Sequence, residues 1–179
     1  MSEFEYLAVF MSIIFGISTT HVMTGIIRSI YRGEINHTHF VLTTFFFVVL
    51  ILDWWTGFYW AEYEGWSFFH FIVIVLWSMA HYVGAITLYP PSSARVEHKF
   101  EYRHNWFLKA FIGVAIMDIV QTWARGDLFD LPAYLPFVSH YVVMATLALY
   151  INKPIFHRVM AYYLLVTTVS WSLIVRLFL

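Results

Sequence analysis

Six apolar runs, each about 20 residues long, make up most of this chain. They cover roughly residues 6–28, 39–61, 66–89, 106–125, 132–152 and 154–177. A helix of about 20 apolar residues spans the roughly 30 Å hydrocarbon core of a bilayer. The runs lack the two-residue alternation of a half-buried strand, and an open sheet edge has no partners in lipid. The expected fold is an all-α membrane protein, a single domain of six transmembrane helices. Composition agrees, since 61% of the 179 residues are hydrophobic and only 12% are charged. A soluble domain carries about 25% charged residues. The mean hydropathy of +0.71 points the same way, and makes the lipid bilayer the first partner.

The breaks between runs carry turn chemistry: RGEINH at 32–37, EYEG at 62–65, YPPSS at 89–93, RGDLFDLP at 125–132 and NKP at 152–154. Pro132 and Pro154 fall at expected helix starts, where a missing N–H is tolerated. Pro136 lies in the first turn of the fifth run. Of the ten Lys and Arg residues, Arg28, Arg32, Arg95, Lys99, Arg103, Lys109, Lys153 and Arg158 lie at the first, third and fifth connections. Only Arg125 and Arg176 lie on the opposite side. By the positive-inside rule those three connections are cytoplasmic, which places both termini on the outer side. Glu3 and Glu5 stand where a signal peptide needs basic residues, so the first run reads as a retained helix.

The longest connection is the cytoplasmic loop 90–105. Val96, Phe100 and Phe107 share one helical face there. This suits a short helix on the headgroups or a charged loop leading into the fourth helix. Trp60, Trp66 and Trp123 are expected in an outer aromatic belt, and Trp106 in the inner one.

Several function classes drop out. The chain has no cysteine, which excludes disulfides, thiolate metal sites and cysteine nucleophiles. A net charge of −1 offers no basic surface for nucleic acid. No nucleophile elbow, phosphate loop or HExxH motif marks an enzyme.

What stands out is the polar content of the spans. An ionisable group in hydrocarbon is a functional candidate by default, and His21, Asp53, His81, Asp118 and His140 lie well inside. Ser18, His21, Gly25 and Arg28 form one helical stripe bordered by Thr24. It faces protein or water, as a path or as a packing seam. Asp53 shares its face with Thr56 and Gly57, with the indoles of Trp54 and Trp55 as candidate donors. Asp118 is followed along one face by Gln121, Thr122 and Arg125, and Arg125 is placed to pair with either aspartate. By position in the runs, Asp53, Asp118 and His140 form an outer layer, with His21 and His81 in an inner one. Ionisable groups at successive depths suit proton movement.

The expectation is a narrow proton or small-cation conduction or transport protein without a cofactor. Its path runs within one chain or between protomers of a homo-oligomer. Two alternatives stay open. His70 and His81 are eleven residues apart on nearly one helix face. With His140 opposite His70 and His21 opposite His81, two bis-histidine sites for haem b would make an electron-transfer protein. The other alternative is a non-catalytic membrane sensor or assembly protein, with the polar stripes as helix contacts and residues 92–105 as a partner surface.

FGISTTHVMTGIIRSI in the first run, DWWTGF in the second, the LYP ending of the third and HKFEYRHNWFLKAFIGVAIMD leading into the fourth carry a resemblance. Over nearly its whole length the chain resembles an uncharacterised family of small bacterial six-helix membrane proteins. The resemblance implies a multi-pass protein of the bacterial inner membrane. It brings no activity, ligand or catalytic residue.

Overall fold

A computed structural model describes residues 2–33, 36–89, 100–130 and 133–178. Among these residues the structure is all-helical, with six α-helices and no strand. They are α1 (Glu3–Arg32), α2 (His37–Thr56), α3 (Phe68–Leu88), α4 (Phe100–Arg125), α5 (Tyr134–Tyr150) and α6 (Pro154–Phe178). A 3-10 helix, Gly57–Glu62, continues α2. Four stretches are long and apolar enough to cross a membrane: Glu3–Tyr31, His37–Glu62, Phe68–Leu88 and His104–Arg125. This is consistent with a helical membrane protein. Large apolar side chains such as Ile13, Leu76, Ile116, Val143 and Val166 point outward.

Local chemistry explains where the helices begin and end. Ser2 and Glu5 form a reciprocal capping box at the start of α1, satisfying two orphan donors. Gly33 ends α1 at φ 66°, a left-handed conformation that glycine adopts without a Cβ clash. The Asn36 side chain accepts the His39 N–H at 3.2 Å and opens α2. Pro154 opens α6 as expected. Pro132 lies outside the described residues, and α5 begins at Tyr134. α4 starts at Phe100, so residues 100–105 belong to one continuous helix with the fourth apolar run. The rest of the 90–105 loop lies outside the described residues.

α3 packs against α1 and α4, α4 against α5, and α2 against α6 and α1. Between lipid-exposed helices there is little hydrophobic drive, so close packing holds the bundle. Its centre is aromatic. Phe45 and Phe46 both stand edge-on to Phe111, at ring separations of 5.1 and 6.3 Å, a favourable quadrupole arrangement. Gly84 of α3 admits the Phe46 ring. A Cβ there would lie 2.5 Å from its Cζ. Gly84→Ala is therefore expected to destabilise the protein by about 1–3 kcal/mol, seen as a lower unfolding temperature in detergent. An unchanged transition would mean that Phe46 turns aside freely.

Candidate functional site

The two groups that sequence position put in different layers are bonded to each other. Asp53 Oδ2 of α2 lies 2.6 Å from His81 Nε2 of α3. His81 is fully buried, and its Nδ1 lies 2.8 Å from the Trp77 carbonyl. A carbonyl only accepts, so Nδ1 carries a proton. Nε2 and the Asp53 carboxyl therefore share one further proton, as imidazolium and carboxylate or as imidazole and acid. Trp54 and Trp55, the expected indole donors, are 43% and 49% exposed.

The two layers merge for two physical reasons. A 3-10 helix rises about 2.0 Å per residue against 1.5 Å in an α-helix, so Gly57–Glu62 carries Asp53 deeper than a continuous α-helix would. Side chains also lean toward the N-terminus of their own helix. On successive helices running in opposite directions, His81 and Asp53 lean toward each other.

Asp118 of α4 completes the cluster. It lines the same cavity as Asp53. Tyr134 of α5 donates its hydroxyl to Asp118 Oδ2 at 2.7 Å, and the Gln121 amide donates to Oδ1 at 3.3 Å. Behind them, Trp60 Nε1 donates to Gln121 Oε1 at 2.9 Å. Gln121 Nε2 and Thr122 Oγ1 are 2.8 Å apart, and Thr122 Oγ1 is 2.8 Å from the Tyr134 hydroxyl. Trp60 is thus fully buried as a scaffold for this network, which corrects its expected place in an interfacial belt.

Asp53 and Asp118 both face a cavity of about 560 Å³ bounded by α2, α4, α5 and α6. Phe111, Val114, Phe137, Tyr141 and Trp171 form much of its wall, and Thr56 and Thr122 also line it. Toward the loop between α4 and α5 its lining includes Arg125, Asp127 and Asp130. Arg125 was expected to pair with Asp53 or Asp118. It instead bonds Asp127 through Nε, with its guanidinium 5.2 Å from the Tyr59 ring centre and 5.8 Å from that of Trp60. The turn at Gly126, φ 99°, brings Asp127 back to it.

The other candidates lie elsewhere. Ser18 bonds the Ile14 carbonyl of its own helix. His21 bonds the Tyr89 carbonyl at 2.6 Å, and the Tyr89 ring fills the space where a Gly25 Cβ would be. Thr24 and Arg28 are exposed. His21 and Gly25 thus pack on Tyr89 at the end of α3, and no residue of that stripe lines the cavity. His140 bonds the Phe137 carbonyl and lies against Tyr141 and Tyr163. His70 is held by the Tyr63 hydroxyl at 2.9 Å and Ser67 Oγ at 2.8 Å. For the paired-haem alternative, an iron would have to displace Asp53 from His81 Nε2, and Tyr63 or Ser67 from His70. Among the described residues no three His, Asp or Glu side chains are grouped to hold a metal ion.

Three features were not anticipated from sequence. Tyr134 is a direct partner of Asp118. Tyr141 of α5 bonds Thr168 of α6 at 2.5 Å in the cavity wall. His104 and His157, near the starts of α4 and α6, are buried with Nε2 and Nδ1 2.8 Å apart. Nothing local distinguishes these side chains from an interfacial tyrosine or a loop histidine. No known protein family, characterised relative or solved structure matches this chain.

Proposed function

We propose that this protein is a membrane transport protein that moves protons, or a small cation in exchange for them, with Asp53, His81 and Asp118 as its ion-handling centre. The reading takes the chain as six spans with both termini outside, in the inner membrane of a bacterium. The observation that carries it is the 2.6 Å contact between Asp53 and His81 beside the cavity. One mobile proton is shared by that pair, and Asp118 offers a second carboxyl on the same cavity. A group that exchanges one proton without leaving its hydrogen bond is what a relay needs.

The cavity is the approach. On the proposed topology its acidic end, with Asp127 and Asp130, faces outward and concentrates cations. Behind the centre the His81 ring abuts Phe15 and Trp77, with ring centres 4.9 and 5.3 Å away. Passage across that side requires α1 and α3 to separate there. His21 and His140 have no part in this path.

The test is proton flux into sealed liposomes under an imposed pH gradient, followed with an internal pH-sensitive dye. Asp53→Asn keeps the shape of the side chain and removes its proton site, and it is expected to bring flux to the level of empty liposomes. Full flux in that variant, or none in the wild type, would overturn the assignment.

A further inference from the structure

The cavity beside this centre is far larger than a proton or a bare ion requires. Its volume, about 560 Å³, falls among pockets that enclose small organic molecules, roughly 300–1,000 Å³. Much of its wall is aromatic or aliphatic, with Phe111, Phe137, Tyr141 and Trp171 prominent. Such a wall suits a ligand with an apolar body.

The donor directions give the sign of its charge. Trp60 donates to Gln121, and Gln121 donates to Asp118 and to Thr122. Thr122 can then donate to the Tyr134 oxygen, because the Tyr134 proton goes to Asp118. With Tyr134 donating to Oδ2 and Gln121 to Oδ1, both side-chain oxygens of Asp118 accept, as in an ionised carboxylate; the Tyr134 hydroxyl also lies 3.2 Å from the Asp118 main-chain carbonyl. Neither direct donor, Tyr134 nor Gln121, carries a charge. The Asp53–His81 pair is neutral overall in either proton arrangement, and Arg125 is engaged by Asp127. The cluster therefore holds one negative charge that its hydrogen-bond partners do not balance, at an aromatic-walled cavity.

We infer that the cavity binds an organic monocation, a protonated amine or quaternary ammonium with an apolar body. Its cationic end lies against Asp118 and its body against Phe111, Phe137, Tyr141 and Trp171. The inference rests on the reading of Asp118 as part of a transport centre, and it names the substrate class.

The test is calorimetric titration of the purified full-length chain in neutral detergent with benzyltrimethylammonium, a permanent cation with an aromatic body. Phenylacetate serves as the control of opposite charge. Saturable binding of the cation is expected, with phenylacetate weaker by at least about tenfold. Asp118→Asn should weaken the cation by at least about tenfold, the loss of one charge-assisted contact, and Asp118→Glu should largely retain it. Three results would overturn the inference: no saturable binding to the wild type, equal binding of phenylacetate, or undiminished binding by folded Asp118→Asn. If Asp118→Asn does not fold, the comparison of the two charges on the wild type decides alone. Binding needs no flux. A chain that binds the cation but moves no protons overturns the transport reading only, and one that moves protons but does not bind the cation overturns the cavity assignment only.

Discussion

Replacing His81 with alanine is expected to destabilise the protein by about 3–5 kcal/mol, the usual cost of removing one partner from a buried ionic pair. His81 has no solvent-exposed surface, and Nε2 is placed on Asp53 at 2.6 Å. Without the imidazole, Asp53 must take up a proton or remain charged in a low-dielectric setting, and protonation is the cheaper outcome. Two measurements check this. Reversible unfolding in detergent gives the cost, and infrared spectroscopy should show a new protonated-carboxyl band that Asp53→Asn removes. The double variant, Asp53→Asn with His81→Ala, should recover part of the stability because no unpaired member of the pair is left behind. Neutral hydrogen bonds between membrane helices contribute about 0.6 kcal/mol on average. A loss that small for His81→Ala would show that the pair carries no charge.

Trp60→Ala is expected to be comparably severe, at about 3–5 kcal/mol. Its indole is completely enclosed, packed on Tyr63 and Trp66 at ring separations of 5.2 and 5.5 Å. Truncation leaves a cavity at the joint between the 3-10 helix and α3. It also removes the donor on Gln121, which releases one of the two groups that hold Asp118. Trp60→Phe separates these effects. It keeps most of the ring and loses only the N–H, for about 1–3 kcal/mol. Thermal unfolding of both variants in detergent is the measurement. If Trp60→Ala melts with the wild type, the indole is not a structural support of the site.

The same residue shows where sequence reasoning stopped. WTGFYW has the composition of an interfacial belt, and Trp123 does lie on the surface at 59% exposure. Trp60 differs because α2 tightens into a 3-10 helix at Gly57, which changes the residues per turn and so the face on which residue 60 lies. Hydropathy does not register that change. Arg125 shows a related limit. Helical spacing puts it on one face with Asp118, Gln121 and Thr122, and all four line the cavity. Its partner came from a turn at Gly126, and helical spacing says nothing about where a turn sends the chain.

The polar residues of the first helix illustrate the opposite case. Helical spacing puts Ser18, His21, Gly25 and Arg28 on one stripe; His21 and Gly25 pack on Tyr89 at the end of α3, Ser18 is buried, and Arg28 is exposed. A stripe of small and polar residues tells which face is covered, without telling what covers it.

Six helices, their approximate limits and five intramembrane candidates, His21, Asp53, His81, Asp118 and His140, are legible in the chain itself. Hydropathy, capping and turn chemistry act within a few residues along the chain, so a local pattern is enough. It takes the packed helices to bond Asp53 to His81, to bring Asp118 to the cavity that Asp53 also lines, and to leave His21 and His140 apart from it. Those facts depend on helix rise, on the lean of side chains between neighbouring helices and on which helices pack together. They are relations between segments distant in sequence, and no property of one segment encodes them.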